Sequence, residues 1–274
     1  MVQGSAIQQG TLGNGKLVTL HKAISLVPTH PLALELVESG EFSSERIARP
    51  IVHLLRSHHL ISDPTISRLV PSSDANELVT RVGYPYGSDP DWIAFVRGAL
   101  KAYPQPASGS LENSSPTVVV VSSGPHWHFN HFAHVAAEDA DDAMLAGYEG
   151  MVNNVVSSLP NDANLHVVVH ATNPVADACS ADASQRPSTS STHEPNFIPA
   201  PLRYNYHLFP LYDGLWRAAI ERYGTRATRV EMLDDGHMMG KRLEAKKGPA
   251  KGDCLHFCIP ALYETSRILM QHIL

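Results

Sequence analysis

The stretch "TVVVVSS" at residues 117–123 decides the fold class of this chain. A continuous β-branched run between turn residues is typical of a strand that is buried on both faces, as in a parallel sheet. "NLHVVVHA" at 164–171 is a second run of this kind, and "TRATRVEMLD" at 225–234 is a third strand-like stretch. The sequence therefore predicts three strands of one parallel sheet.

Helical patterns lie between and after these strands. "EDADDAMLAGYEGMVNNVVSSL" at 138–159 carries acids in its first turn, and "NYHLFPLYDGLWRAAIERYG" at 205–224 ends in a glycine. "PALYETSRILMQHIL" at 260–274 has a proline in its first turn. Alternating strands and helices indicate an α/β fold, and we expect a three-layer sandwich with a mostly parallel central sheet.

The first part of the chain is less regular. "GKLVTLHKAISLV" at 15–27 predicts a strand, and "DPDWIAFVRGALKAY" at 89–103 predicts a helix that Asp89 caps. Residues 30–80 show only weak periodicity, and we interpret them as irregular. The apolar faces of the predicted helices place Trp92 and Trp216 in the core.

Composition also indicates how the chain is organised. Residues 104–116 have the composition of a linker, and the Ser/Thr-rich residues 177–196 that of a surface loop. We interpret 1–274 as a single domain whose best-supported part is 117–274.

The charge balance excludes some partners. The formal charge is −6 at pH 7, and a nucleic-acid or anionic-membrane partner would require a basic face, so we expect neither. No stretch has the roughly 18–20 consecutive apolar residues of a membrane span. Membrane attachment would therefore need an N-terminal anchor that this sequence does not show.

Polar residues are concentrated in three blocks. "SSGPHWHFNHF" at 122–132 and "LDDGHMMGKR" at 233–242 follow predicted strands, and "GDCLHFC" at 252–258 precedes the last helix. In open α/β sheets, sites form beyond the carboxyl ends of the strands. We therefore expect the functional site among these blocks.

The last block contains an acid and an imidazole three residues apart, Asp253 and His256. On a tight loop or a first helical turn, such a pair can share a face, so that the carboxylate fixes the tautomer of the imidazole. The imidazole can then take a proton from a serine. Spacing alone favours the alternative of a surface acid and a histidine that packs beside a disulfide.

The three blocks together resemble the PC-esterase family, a branch of the SGNH/GDSL-like hydrolases. The family includes plant trichome-birefringence-like proteins and fungal capsule and cell-wall O-acetyltransferases. Its final motif reads approximately Asp-Cys-x-His-Trp-Cys-Leu-Pro-Gly, and the residues that match it here are Asp253, Cys254, His256, Cys258 and Pro260. The resemblance covers roughly residues 117–274, with the blocks in family order.

The two upstream blocks carry the rest of the resemblance. Gly124, His126 and Trp127 are similar to the family's Asn-Thr-Gly-His-Trp-Trp block, with Pro125 inserted. Asp235 and His237 match its upstream Asp-Gly-His. The resemblance implies that all five residues lie on the substrate or oxyanion side of the site.

One family feature is missing. The family carries its catalytic serine in a Gly-Asp-Ser motif near the start of the domain, and this sequence contains none. Gly87-Ser88-Asp89 has the letters in the wrong order, and Pro64 stands where "LISDPTISRLV" would need the serine. We therefore expect an SGNH-like domain whose N-terminal part, with the nucleophile, is incomplete.

The resemblance implies transfer of an acetyl group to, or its removal from, a hydroxyl of a cell-wall or capsular polysaccharide. His256 would act as general base and then acid, and Asp253 would orient it. No bound cofactor is implied, and the acetyl donor, such as acetyl-CoA or an acetylated carrier, stays open. Family members work in the secretory pathway, typically in the Golgi lumen or membrane.

Two hypotheses compete with this enzyme. Without the serine, the chain is a non-catalytic relative that at most binds a glycan. A cluster of histidines could instead hold a metal and make the protein a metal-dependent hydrolase; its members are His126, His128, His131 and His134. Because no His-Glu-x-x-His motif appears, and the resemblance explains His126 without a metal, we expect no metal site.

The cysteines are three, an odd number. Under the resemblance, Cys179 would pair with Cys254 or Cys258, and the disulfide would hold the Asp253–His256 loop in register. The remaining thiol would have lost an N-terminal partner. A zinc knot that uses Cys254, His256 and Cys258 is the alternative, although the paired Cys-x-x-Cys spacing is missing.

Overall fold

The computed structural model forms two compact units. One comprises Met1–Pro64 and Val79–Ser115, and the other comprises Thr65–Leu78 and Pro116–Leu274. The described residues are 2–11, 17–40, 44–47, 49–50, 52–55, 57, 59–61, 63–69, 91–102, 117–128, 140–172, 205–224, 226–234, 266–269 and 271. The interpretation of the chain as a single domain stays a prediction.

The first unit contains an antiparallel sheet. Strands β1 (Val2–Thr11), β2 (Leu17–Leu26) and β3 (Val52–Leu55) pair in the order β1-β2-β3. Strand β2 confirms the strand predicted over 15–27. The sequence signal missed β1 because its Gln and Gly residues have low strand propensity; the long pairing with β2 forms it instead.

Four helices lie in the first 102 residues: α1 (Pro31–Glu38), α2 (Ser44–Ile47), α3 (Asp63–Leu69) and α4 (Trp92–Ala102). Most of α3 belongs to the second unit. The interpretation of 30–80 as irregular is wrong where α1, α2, α3 and β3 lie. The signal was weak because these elements are short. At α1, for example, the cap is an imidazole: His30 Nδ1 accepts a hydrogen bond from Leu32 N at 3.2 Å.

Helix α4 confirms the helix predicted over 89–103, with a different cap. Asp91 Oδ1 accepts a hydrogen bond from Ala94 N at 2.8 Å, so Asp91 caps the helix in place of the predicted Asp89. Trp92 is buried, as predicted, and its Nε1 donates to the carbonyl oxygen of Leu60 at 2.9 Å.

The second unit contains the predicted parallel sheet. Strands β4 (Thr117–Val121), β5 (Leu165–His170) and β6 (Arg229–Leu233) pair in parallel in the order β4-β5-β6. Helix α5 (Ala140–Ser158) joins β4 to β5, and α6 (Phe209–Tyr223) precedes β6. The protein is therefore mixed α/β with a parallel three-stranded sheet, which confirms the fold class at this level.

Both connections run in the same direction across the sheet, so the right-handed crossover rule places α5 and α6 on one face. The two helices pack against each other, and α6 contacts β6. The predicted core position of Trp216 is confirmed, because this residue of α6 is buried and donates from Nε1 to the Tyr148 hydroxyl of α5 at 3.0 Å. Residues 266–269 and 271 are helical, in agreement with the predicted closing helix.

The valine runs differ in burial. Strand β5 is buried on both faces over Leu165–Val169, as predicted. Strand β4 is only partly buried, and Val120 is 43% exposed, so the prediction of burial on both faces is wrong for this strand. The reason is position: among the described strands, β4 pairs only with β5, whereas β5 has a partner on each side.

None of the helices in the described ranges is both long and apolar enough to cross a membrane.

Because β5 and β4 differ in burial, a valine-to-alanine substitution should cost more stability in β5 than in β4. Val168 of β5 is fully buried, and its register partner Val120 of β4 is 43% exposed. Val168→Ala should lower the free energy of unfolding by about 2 kcal/mol, from lost burial and a residual cavity. Val120→Ala should cost less than about 0.5 kcal/mol. Urea titration of both variants measures this, and equal losses would contradict the sheet order.

Candidate functional site

The carboxyl ends of the three parallel strands meet at one edge of the sheet, which we call the carboxyl edge. The last residue of β4, Val121, lies opposite Val169 of β5. One step further, Ala171 N donates to the carbonyl oxygen of Leu233, the last residue of β6, at 3.0 Å. Two of the three polar blocks, 122–132 and 233–242, therefore leave the sheet at this edge.

Gly124, which follows β4, lies very close to Thr172, which follows β5. A Cβ atom at this position would overlap the side chain of Thr172, at both Oγ1 and Cγ2. The chain then turns back, because Trp127 N donates to the carbonyl oxygen of Gly124 at 2.9 Å. A side chain larger than hydrogen at 124 would push this turn away from the end of β5.

Aromatic side chains of α5 and α6 contact this turn. The hydroxyl of Tyr212 on α6 donates to the carbonyl oxygen of Trp127 at 3.1 Å. Tyr148 on α5 stacks on Tyr212, with ring centroids 3.9 Å apart, and meets the edge of the Trp127 ring at 5.5 Å. Burial raises the pKa of both tyrosines well above the ordinary value, so the Tyr212 hydroxyl stays a donor at neutral pH.

Asp213 of α6 reaches the end of β5. Its Oδ1 accepts a hydrogen bond from Thr172 N at 2.9 Å. Burial raises the pKa of this carboxyl, and the hydrogen bonds from Thr172 and the charge of Arg217 offset the rise only in part. A partly buried carboxyl with a perturbed pKa at the edge where sites form is a candidate for function.

Asp234, the first residue after β6, forms an ion pair with Arg217 of α6. Both side chains are 50% exposed, so the pair contributes little to stability. Asp234 is the last described residue before the predicted residues Asp235 and His237.

A second acid–imidazole pair lies in this part of the molecule. His207, in the short 3-10 turn Tyr206–Leu208 before α6, has its Nε2 3.0 Å from Asp141 Oδ2 in the first turn of α5. The sequence analysis missed both this pair and Asp213. The one sequence signal for Asp213 is that this acid lies next to the buried residue Tyr212 of α6. No sequence pattern links His207 to Asp141, because the two residues lie 66 positions apart.

The predicted site residues fall into two groups. Gly124, His126 and Trp127 are described and lie together at the carboxyl edge. Trp127 is fully buried, whereas His126 is partly exposed, so a substrate at this turn would meet His126 before the indole. The other candidates lie outside the described residues, and their roles stay predictions: Asp235, His237, Asp253, His256, Cys179, Cys254 and Cys258.

The histidine cluster is described only in part. His126 and His128 are described, and His131 and His134 lie outside the described residues, so the hypothesis of a metal site there stays untested. Among the side chains that the structure describes, no three His, Cys, Asp or Glu residues are placed to hold a metal ion.

Comparisons with family models, with curated proteins and with solved structures give no match for this chain.

The contact between Gly124 and Thr172 predicts coupled substitutions. Gly124→Ala should lower the free energy of unfolding by about 1–3 kcal/mol, because the new Cβ overlaps the threonine side chain. Thr172→Ala in the same chain should recover at least about 0.5 kcal/mol of that loss. A double-mutant cycle by urea titration measures the coupling, and strictly additive losses would contradict the close approach.

The pKa values of Asp213 and Glu231 are shifted in opposite directions, so the two carboxyls should affect the pH dependence of stability in opposite ways. The folded state raises the pKa of Asp213, so its contribution to stability falls as the pH rises from the ordinary carboxyl pKa through the raised one. The free energy of unfolding of Asp213→Asn, relative to that of the wild type, should therefore increase as the pH rises through that window.

Glu231 of β6 provides the contrast. Burial alone would raise its pKa, but hydrogen bonds and charges from Arg229 and His166 outweigh burial and lower it. Its stabilising contribution is therefore lost as the pH falls through the lowered pKa. The free energy of unfolding of Glu231→Gln, relative to that of the wild type, should increase toward acid pH. Unfolding free energies measured from acid to neutral pH test both variants, and the same slope for both would contradict these environments.

Proposed function

We propose that this protein is an O-acyl transferase or esterase that acts on a cell-wall or capsular polysaccharide. It has an SGNH-like, three-layer α/β fold in this proposal. Helices α5 and α6 form a layer on one face of the sheet. Because β5 is buried on both faces, this proposal expects a further layer to cover the other face.

One observation carries the proposal: two of the blocks that resemble the PC-esterase family leave the sheet at the same edge. Gly124 and Trp127 follow β4, and Asp234, which leads into the Asp235–His237 block, follows β6. Sites in open α/β sheets form at this edge. Chemical function therefore follows from residues far apart in sequence that the parallel strands bring together.

The chemistry follows from the residue types. His256, oriented by Asp253, removes the proton of a nucleophile that attacks the acyl carbon. Backbone N–H groups of the turn at Gly124 stabilise the oxyanion, and His126 contacts the sugar. A polysaccharide hydroxyl then takes the acyl group in a transferase, and water takes it in an esterase. By the same resemblance, we propose that the protein works in the secretory pathway.

A second candidate is a non-catalytic protein that binds the glycan. The observation that favours it is the absence of Gly-Asp-Ser from the 274 residues of the sequence. Under this candidate, the carboxyl edge binds an oligosaccharide but turns over no ester.

The enzyme hypothesis predicts a specific loss in the full chain. His256→Ala should lower p-nitrophenol release from p-nitrophenyl acetate by at least about 100-fold, because the general base is removed. His30→Asn is the matched control, since His30 lies in the other compact unit and Asn retains the α1 cap.

A fluorophosphonate probe with mass spectrometry should then label a serine in the wild type and not in His256→Ala. Full activity of His256→Ala would contradict the proposed role. A wild type that binds xylohexaose but shows neither turnover nor label would establish the glycan-binding candidate instead.

A further inference from the structure

The pair of His207 and Asp141 lies at the carboxyl edge, although neither residue belongs to a predicted block. Helices α5 and α6 each precede a parallel strand, so both begin at this edge of the sheet. Asp141 is in the first turn of α5, and His207 is in the turn just before α6. The two helix starts thus place an acid against an imidazole at the edge where sites form.

The imidazole is held in a defined position. Tyr206 and Leu208, on either side of His207, are both buried and anchor the turn. Asn205, which precedes them, is fully buried with φ 50°, a left-handed conformation that is uncommon outside glycine. Such conformations concentrate at functional sites. His207 itself keeps 35% of its side chain exposed, so solvent or a ligand reaches it.

The acid is equally well placed. Negative charge in the first turn of a helix is stabilised by the helix dipole, and α5 is 19 residues long. Asp141 Oδ2 lies 3.0 Å from His207 Nε2, which leaves the other ring nitrogen, Nδ1, as the acceptor when Nε2 carries the proton. The carboxylate therefore orients the ring and fixes its tautomer.

The pair is connected to the Gly124 turn. The charge of Asp141 contributes to the raised pKa of Tyr212, after burial and the neighbouring Tyr148. The hydroxyl of Tyr212 donates to the carbonyl oxygen of Trp127. The charge of Asp141 therefore acts on the tyrosine that supports the turn.

Another carboxylate-bound imidazole, His166, serves as a contrast. His166 Nε2 lies 2.6 Å from Glu231 Oε1, but this ring is only 6% exposed and lies within the sheet. Arg229 also binds Glu231, so the carboxylate is shared. His166 is therefore structural, whereas His207 is bound by a carboxylate, exposed and at the site.

We propose that His207, oriented by Asp141, is the proton acceptor for the hydroxyl that receives the acyl group. Nδ1 of His207 takes the hydroxyl proton while the hydroxyl oxygen forms a bond to the acyl carbon of an ester. The bond from that carbon to the leaving oxygen breaks, and the leaving oxygen takes its electron pair and then a proton from the imidazolium. The step needs no further reactant, and it rests on the proposed acyl transfer.

The test uses the full chain with p-nitrophenyl acetate as donor and xylohexaose as acceptor. His207→Gln should lower acetyl transfer to xylohexaose at least about 100-fold, the contribution of a general base. Asp141→Asn should lower it less, because a neutral amide can still orient the ring through Nε2 but does not balance the charge that the ring gains during the step.

The neighbouring Asp142→Asn is the matched control. It removes the same charge from the same turn of α5 and should leave the rate of transfer unchanged. Transfer by His207→Gln at the wild-type rate would overturn the inference while leaving the proposed function intact, as would identical effects of Asp141→Asn and Asp142→Asn.

A wild type that releases no p-nitrophenol would instead count against the proposed function. In that case the ring resonances of His207 decide the inference. They should shift when xylohexaose is added, and this shift should weaken in Asp141→Asn. Resonances that stay fixed at saturating xylohexaose would show that the acceptor does not reach His207 and would overturn the inference.

Discussion

Parallel pairing of β5 with both neighbours is the constraint on which the rest of the second unit depends. Parallel strands in register must end at the same edge, so β4, β5 and β6 deliver residues from three distant parts of the sequence to one place. The burial of Leu165–Val169 stabilises this arrangement, because each apolar side chain removed from water favours the paired sheet. Any chemistry at the carboxyl edge follows from that pairing.

Packing beneath the edge converts the arrangement into a fixed geometry. Gly124 allows the turn after β4 to approach Thr172, and the stacked rings of Tyr148 and Tyr212 support it from the helices. Asp213 ties the end of β5 to α6 through Thr172 N. Side chains positioned by such contacts need little reorganisation when a substrate binds, which is what both proposals require.

The sequence predicted the elements whose signals are local. The valine runs gave the parallel strands, and the long amphipathic patterns gave α4, α5 and α6. Strand β1 escaped prediction because pairing with β2 forms it. Helix α1 escaped prediction because it is only eight residues long and its cap is an unusual one, the imidazole of His30. The exposure of Val120 depends on strand order, which no single run of residues encodes.

The same limit applies to the site. Gly124 and Trp127 could be proposed from the sequence because they form a motif within a few residues. Asp213 and the Asp141–His207 pair were missed because their meaning arises only when two helix starts come to one edge. Contacts between residues that are far apart in sequence have no spacing pattern that sequence analysis could detect.

The central claim is that the Asp253–His256 couple faces the Gly124–Trp127 turn at the carboxyl edge. Nuclear Overhauser effects from the assigned ring protons of His256 test it directly. The account predicts contacts to protons of residues 124–127. Contacts to the amino ends of the strands, at Thr117, Leu165 or Arg229, would place the couple on the opposite edge and contradict the account.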